Sequence, residues 1–64
     1  MKYTVFEVDY TERTYKIGET DEMAEARKIA RAALKESKGE FPCFVMSDGK
    51  CVADIRMKRA EERA

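Results

Sequence analysis

Residues 44–55 read Phe44-Val45-Met46-Ser47-Asp48-Gly49-Lys50-Cys51-Val52-Ala53-Asp54-Ile55. Asp-Gly suits a two-residue type I′ turn, because both central residues need positive φ and the turn's twist matches that of the flanking strands. A hairpin centred on Asp48-Gly49 sets Ser47 opposite Lys50, Met46 opposite Cys51, Val45 opposite Val52 and Phe44 opposite Ala53. Side chains alternate between faces along a strand. Phe44, Met46, Cys51, Ala53, Ile55 and Met57 then share one face. Phe41, Cys43, Val45, Val52, Asp54 and Arg56 share the other. Pro42 cannot donate to a ladder, so it belongs at the start of the strand over 41–47 or on an edge.

Working back from the hairpin, Thr20-Asp21-Glu22 opens a helix. Thr20 can cap free backbone N–H groups, and an acidic first turn suits the positive end of the helix dipole. No Pro or Gly interrupts the run to Lys38, and Ala24, Ala26, Ala30, Ala32 and Ala33 are strong helix formers. Met23, Ala26, Ile29, Ala30, Ala33, Leu34 and Ser37 recur at helical spacing as one stripe, mostly of small residues. Gly39 is the natural stop. Residues 2–10 alternate as a strand, with Thr4, Phe6, Val8 and Tyr10 on one face and Tyr3, Val5, Glu7 and Asp9 on the other. The first set is more continuously apolar and is assigned to the core. Thr11-Glu12-Arg13 turns the chain. A second strand over 14–19 points Tyr15 and Ile17 inward, and Gly18 marks a bulge or the exit from the sheet.

The order is β-β-α-β-β. It predicts an α+β fold, a four-stranded mainly antiparallel sheet with one helix on one face, in a single domain over 1–64. The expected core is Phe6, Val8, Ile17, Met23, Ile29, Ala30, Ala33, Leu34, Phe44, Met46, Ala53 and Ile55. The pattern leaves open which strands are neighbours across the two hairpins. Residues 58–64 read as a charged tail, frayed or forming a stub of helix.

The helix run Ala24-Glu25-Ala26-Arg27-Lys28-Ile29-Ala30, followed by Phe44-Val45-Met46-Ser47-Asp48-Gly49-Lys50, resembles small bacterial and phage-encoded proteins of unknown function with the same element order. The resemblance covers residues 14–56. It implies no activity and carries over no catalytic residue.

Composition narrows the function. The chain has 64 residues, with 13 Lys plus Arg against 13 Asp plus Glu. At this size folding hides only about 60% of the unfolded surface, so the core is thin. Balanced charge argues against a generally basic nucleic-acid binder. Charged residues are 41% of the chain, where roughly a quarter is typical, so the surface is heavily charged. No apolar run is long enough to cross a membrane. Met1-Lys2 leads straight into a strand pattern, so no signal peptide or lipidation motif is expected.

Catalytic chemistry is also poorly supplied. His is absent, and Cys43 and Cys51 are the only cysteines. Two thiols cannot complete a structural zinc site, and a catalytic thiol wants a base such as His. The hairpin register points the two thiols to opposite sides of the sheet, so buried or half-buried free thiols in a reducing cytoplasm are expected. Carboxylate pairs at Glu7 and Asp9, Asp21 and Glu22, and Glu61 and Glu62 sit without the pocket that would shift a pKa. Ser37 and Ser47 lack a His base, and Ser47 is expected to serve the turn. The reading is a protein without enzymatic activity, cofactor or metal.

Two surfaces remain as candidates. One helix can cover one side of the sheet, so the far side is expected to show Tyr3, Val5, Phe41, Cys43, Val45 and Val52. Exposed apolar patches of several hundred Å² mark interfaces. Tyr3, Val5, Phe41, Val45 and Val52 are therefore the candidate partner-binding residues, for a protein partner or a homodimer. The alternative is scattered apolar residues shielded by the stems of Arg56 and Lys58. The second surface is a basic stripe of Arg27, Arg31, Lys35 and Lys38 along the helix, which could dock nucleic acid or another anionic partner. Its plainer reading, and the preferred one, is a solvated helix face with cations placed late to suit the dipole.

Overall fold

The computed structural model describes residues 1–56. Five elements follow one another: β1 (Tyr3–Val8), β2 (Thr14–Thr20), α1 (Met23–Glu36), β3 (Cys43–Ser47) and β4 (Lys50–Ile55). The strands form one antiparallel sheet in the order β2-β1-β3-β4, and α1 lies across one face. The two hairpins are therefore joined by the pairing of β1 with β3. This is the expected α+β class and element order. The expected tail over 58–64 lies outside the described residues.

The β3–β4 turn is built as its dipeptide requires, with φ of 56° at Asp48 and 77° at Gly49. Met46 opposes Cys51 and Ser47 opposes Lys50 as expected, but beyond them the register slips. Val45 opposes Ala53, Phe44 opposes Asp54 and Cys43 opposes Ile55, leaving Val52 as the extra residue of a bulge. That insertion moves Ala53 and Ile55 onto the face of Val45 and Cys43. A second bulge lies in β2, where Val5 opposes Gly18 and Phe6 opposes Lys16. Pro42 stands just before β3, and its carbonyl accepts the Val8 N–H at 3.0 Å.

The helix begins later than expected. Thr20 is still the last residue of β2, and its hydroxyl accepts the Glu22 N–H at 3.2 Å instead of capping α1. Glu22 occupies the cap position with extended φ and ψ and no side-chain cap bond. At the other end, Gly39 N–H donates to Leu34 O at 2.8 Å and Lys38 N–H to Lys35 O at 3.0 Å. These bonds make a Schellman motif, with Lys38 (φ 58°) ahead of Gly39 in the left-handed region.

The face assignment of β1 and β3 is corrected. Val5 and Val45 are 0% exposed and, with Cys43, lie against Ala26 and Ala30 of α1, with Ile55 beside them. Tyr3, Ile17, Met23, Ile29, Ala33, Leu34 and Ala53 pack around this centre. Phe6, Val8, Phe44 and Met46, expected inside, alternate onto the uncovered face and are half-buried there. The cause is volume. An alanine seam seats the helix close to the sheet, and that gap takes valine- and cysteine-sized side chains. Tyr15 is also outside the core at 44% exposure, with its hydroxyl donating to Asp9 Oδ2 at 3.0 Å.

Gly18 faces α1 at the β2 bulge. A Cβ there would meet Ile29 Cδ1 and Cγ2 at 3.0 Å. Gly18→Ala is expected to destabilise the fold by about 1 kcal/mol through overpacking, read as a lower urea midpoint at unchanged m-value.

Candidate functional site: the uncovered sheet face

The two central strands place Phe6 directly opposite Phe44. Their rings stack with centroids 5.3 Å apart and planes 22° apart. Such a pair adds about 0.5–1.5 kcal/mol beyond its buried area. Thr4 opposes Met46 in the next row, and Val8 continues the apolar strip along β1. Charged groups border the strip on both outer strands. On the β2 side, Glu19 accepts from Lys16 at 2.6 Å and from Lys2 at 2.9 Å. On the β4 side, Arg56 Nη2 donates to both oxygens of Asp54, at 3.1 and 2.9 Å. An apolar centre with a polar rim is the usual anatomy of a protein interface.

The residues singled out from sequence for this role are dispersed. Val5 and Val45 are sealed under the helix, and Tyr3 packs against the same core. Phe41 lies in the loop between α1 and β3, where Tyr10 meets it edge-on at 4.9 Å. Val52 is the bulge residue, 44% exposed. They form no common surface. The residues that do are Phe6, Val8, Phe44 and Met46, whose alternation is visible in the sequence but whose apolar weight there points to the core.

The basic stripe is partly gathered. Arg31, Lys35 and Lys38 line a shallow pocket of about 420 Å³ with Leu34 and Gly39, while Arg27 lies outside it. None of the four is within ion-pair distance of a carboxylate among the described residues.

Cys43 and Cys51 are free and lie on opposite faces; Cys43 is buried as expected, but Cys51 is exposed, because its partner Met46 belongs to the face the helix does not cover. Burial, with a smaller contribution from the charge of Glu7, pushes the Cys43 thiol up to about 11, so it stays protonated at neutral pH. Ser47 Oγ is buried and bonds to no described residue, so its side chain does not serve the turn as expected. No group of three or more His, Cys, Asp or Glu among the described residues is arranged to hold a metal ion. No helix among them is long and apolar enough to cross a membrane.

Two carboxylates are tuned by their neighbours. Asp9 Oδ1 accepts from the Thr11 hydroxyl at 2.8 Å, the Thr11 N–H at 2.9 Å and the Arg13 N–H at 3.0 Å, closing the β1–β2 turn. The Thr11 hydroxyl contributes most to holding its pKa below the ordinary value. Hydrogen bonds from Lys16 and then Lys2 lower that of Glu19 to about 2.

The fold and this face define a small α+β domain in which, among the described residues, one sheet surface is covered and the other is not. Comparison with protein-family models, with curated proteins and with solved structures finds no match.

A carboxylate whose folded pKa is lowered adds stability above its unfolded value, about 4, and loses it as pH falls through the folded value. Unfolding midpoints are therefore expected to drop as pH falls from about 4 toward 2. Glu19→Gln and Asp9→Asn should each flatten that acid limb, measured by urea titration across pH.

Proposed function

We propose that this protein is a non-enzymatic interaction module that docks a protein surface on its uncovered sheet face. The observation that carries this reading is the stacked Phe6–Phe44 pair at the centre of that face, continued by Val8 and Met46 and bordered by Lys2, Lys16, Glu19, Asp54 and Arg56. Apolar area gives such a face its affinity, and the charged border sets orientation. Two free thiols fit a reducing cytoplasm as its place of action.

Site-directed photo-crosslinking in cells making the protein tests the face. Benzoylphenylalanine at Val8 is expected to give a covalent protein adduct, self or foreign, that is lost when Phe44→Lys is added. The same group at Lys28, on the exposed side of the helix, is expected to give none. Adducts from Lys28 alone, or a Val8 adduct indifferent to Phe44→Lys, would overturn the reading.

The convergence of Arg31, Lys35 and Lys38 around Leu34 favours a second reading, an anion-binding accessory domain acting on nucleic acid. It requires salt-sensitive binding of DNA or RNA that Arg31→Glu weakens. No binding at low salt ends it.

A further inference from the structure

We infer that the occupant of the uncovered face is a second copy of this chain, stacked face to face about a two-fold axis that runs parallel to the strands between β1 and β3. The inference rests on the docking-face reading and adds the partner and its orientation. Register supplies the argument. Lys16 opposes Phe6, Phe6 opposes Phe44, and Phe44 opposes Asp54, so one row across the sheet runs cation, ring, ring, anion. A two-fold axis along the strands reverses this row on the second copy. It then sets Phe6 over the partner's Phe44 and Lys16 over the partner's Asp54, twice per dimer.

An axis perpendicular to the strands and passing through this row would instead set Lys16 over Lys16 and Asp54 over Asp54. The row is thus self-complementary about the axis along the strands and not about one running along the row itself. The Lys16 and Asp54 side chains are 55% and 54% exposed, which leaves both within reach of a partner alongside their pairs with Glu19 and Arg56. Aligned sheets cross at about −30°, which displaces facing positions on the outer strands by about 4 Å, within the reach of a lysine. Lys16 has three donors, so it can hold Glu19 and a second carboxylate together.

Magnitude sets the expected strength. Strand spacing and side-chain repeat make the face roughly 20 by 20 Å, on the order of 400 Å² per copy. A standard stable interface buries about 800 Å² per partner, so a weak dimer is expected.

Sedimentation equilibrium on the full 64-residue chain, from about 10 μM to 2 mM (spanning the micromolar to millimolar range of weak affinities), tests the inference. Wild type is expected to self-associate. Lys16→Glu and Asp54→Lys should each weaken association on the order of tenfold, because both contacts of each homodimer become repulsive. An equimolar mixture of the two variants should associate at least as well as wild type, with a heterodimer mass by native mass spectrometry, since both contacts then pair opposite charges. A folding defect cannot produce that recovery, because mixing does not repair either chain. A wild type that stays monomeric overturns the second copy, while a Val8 adduct to a foreign protein would leave the docking face standing. Association that Phe44→Lys abolishes but the charge variants ignore overturns the proposed orientation alone. Association indifferent to Phe44→Lys overturns both readings.

Discussion

The seating of an alanine-lined helix on the two central strands is the constraint on which the rest of this fold depends. Ala26 and Ala30 are fully buried against Val5, Val45 and Cys43. A short side chain on the helix lets it lie close to the sheet, and the central positions beneath it hold valine- and cysteine-sized residues with larger ones around them. A helix of 14 residues runs about 21 Å, close to the length of a six-residue strand. One helix therefore covers one face along the whole strand length. The larger rings of Phe6 and Phe44 take the opposite side, where they shield each other by stacking.

The ends of the sheet are held by polar chemistry. Asp9 gathers the β1–β2 turn through three hydrogen bonds to one carboxylate oxygen, while its other oxygen accepts from Tyr15. Tyr10 in that turn donates to Glu40 and rests edge-on against Phe41, tying the first hairpin to the loop after the helix. Ser37 bridges the same region, donating to Leu34 O and accepting from the Phe41 N–H. The thin core is thus supplemented at its rim by local hydrogen bonds, as a chain this short requires. Lys2, Lys16 and Glu19 stand along one border of the uncovered face, and Asp54 and Arg56 along the other.

Much of this could be read from residue order. Asp48-Gly49 placed the second hairpin, the stripe from Met23 to Leu34 placed the helix and its buried side, and Gly18 marked a bulge. The candidate site was half legible. Phe6 and Val8, and Phe44 and Met46, were recognisable as apolar rows, but the rows were turned to the wrong side. Apolar weight favoured them as core, and nothing in the alternation of β1 or β3 weighs side-chain volume against the depth of an alanine seam. The single-residue slip at Val52 hid the problem further. It leaves Ala53 and Ile55 inward while reversing the strand they pair with.

The amino-acid sequence by itself determined the element order, the type I′ turn, the buried stripe of the helix and the placement of the two thiols on opposite faces. Each follows from local backbone preference or from a periodicity within one segment. Only the tertiary structure decided the strand order β2-β1-β3-β4, the face that became the core and the row from Lys16 to Asp54. A repeat of two is symmetric between the faces of a strand. The choice between them is made by the volume the helix leaves beneath it, and a bulge inverts the pattern without leaving a gap in it.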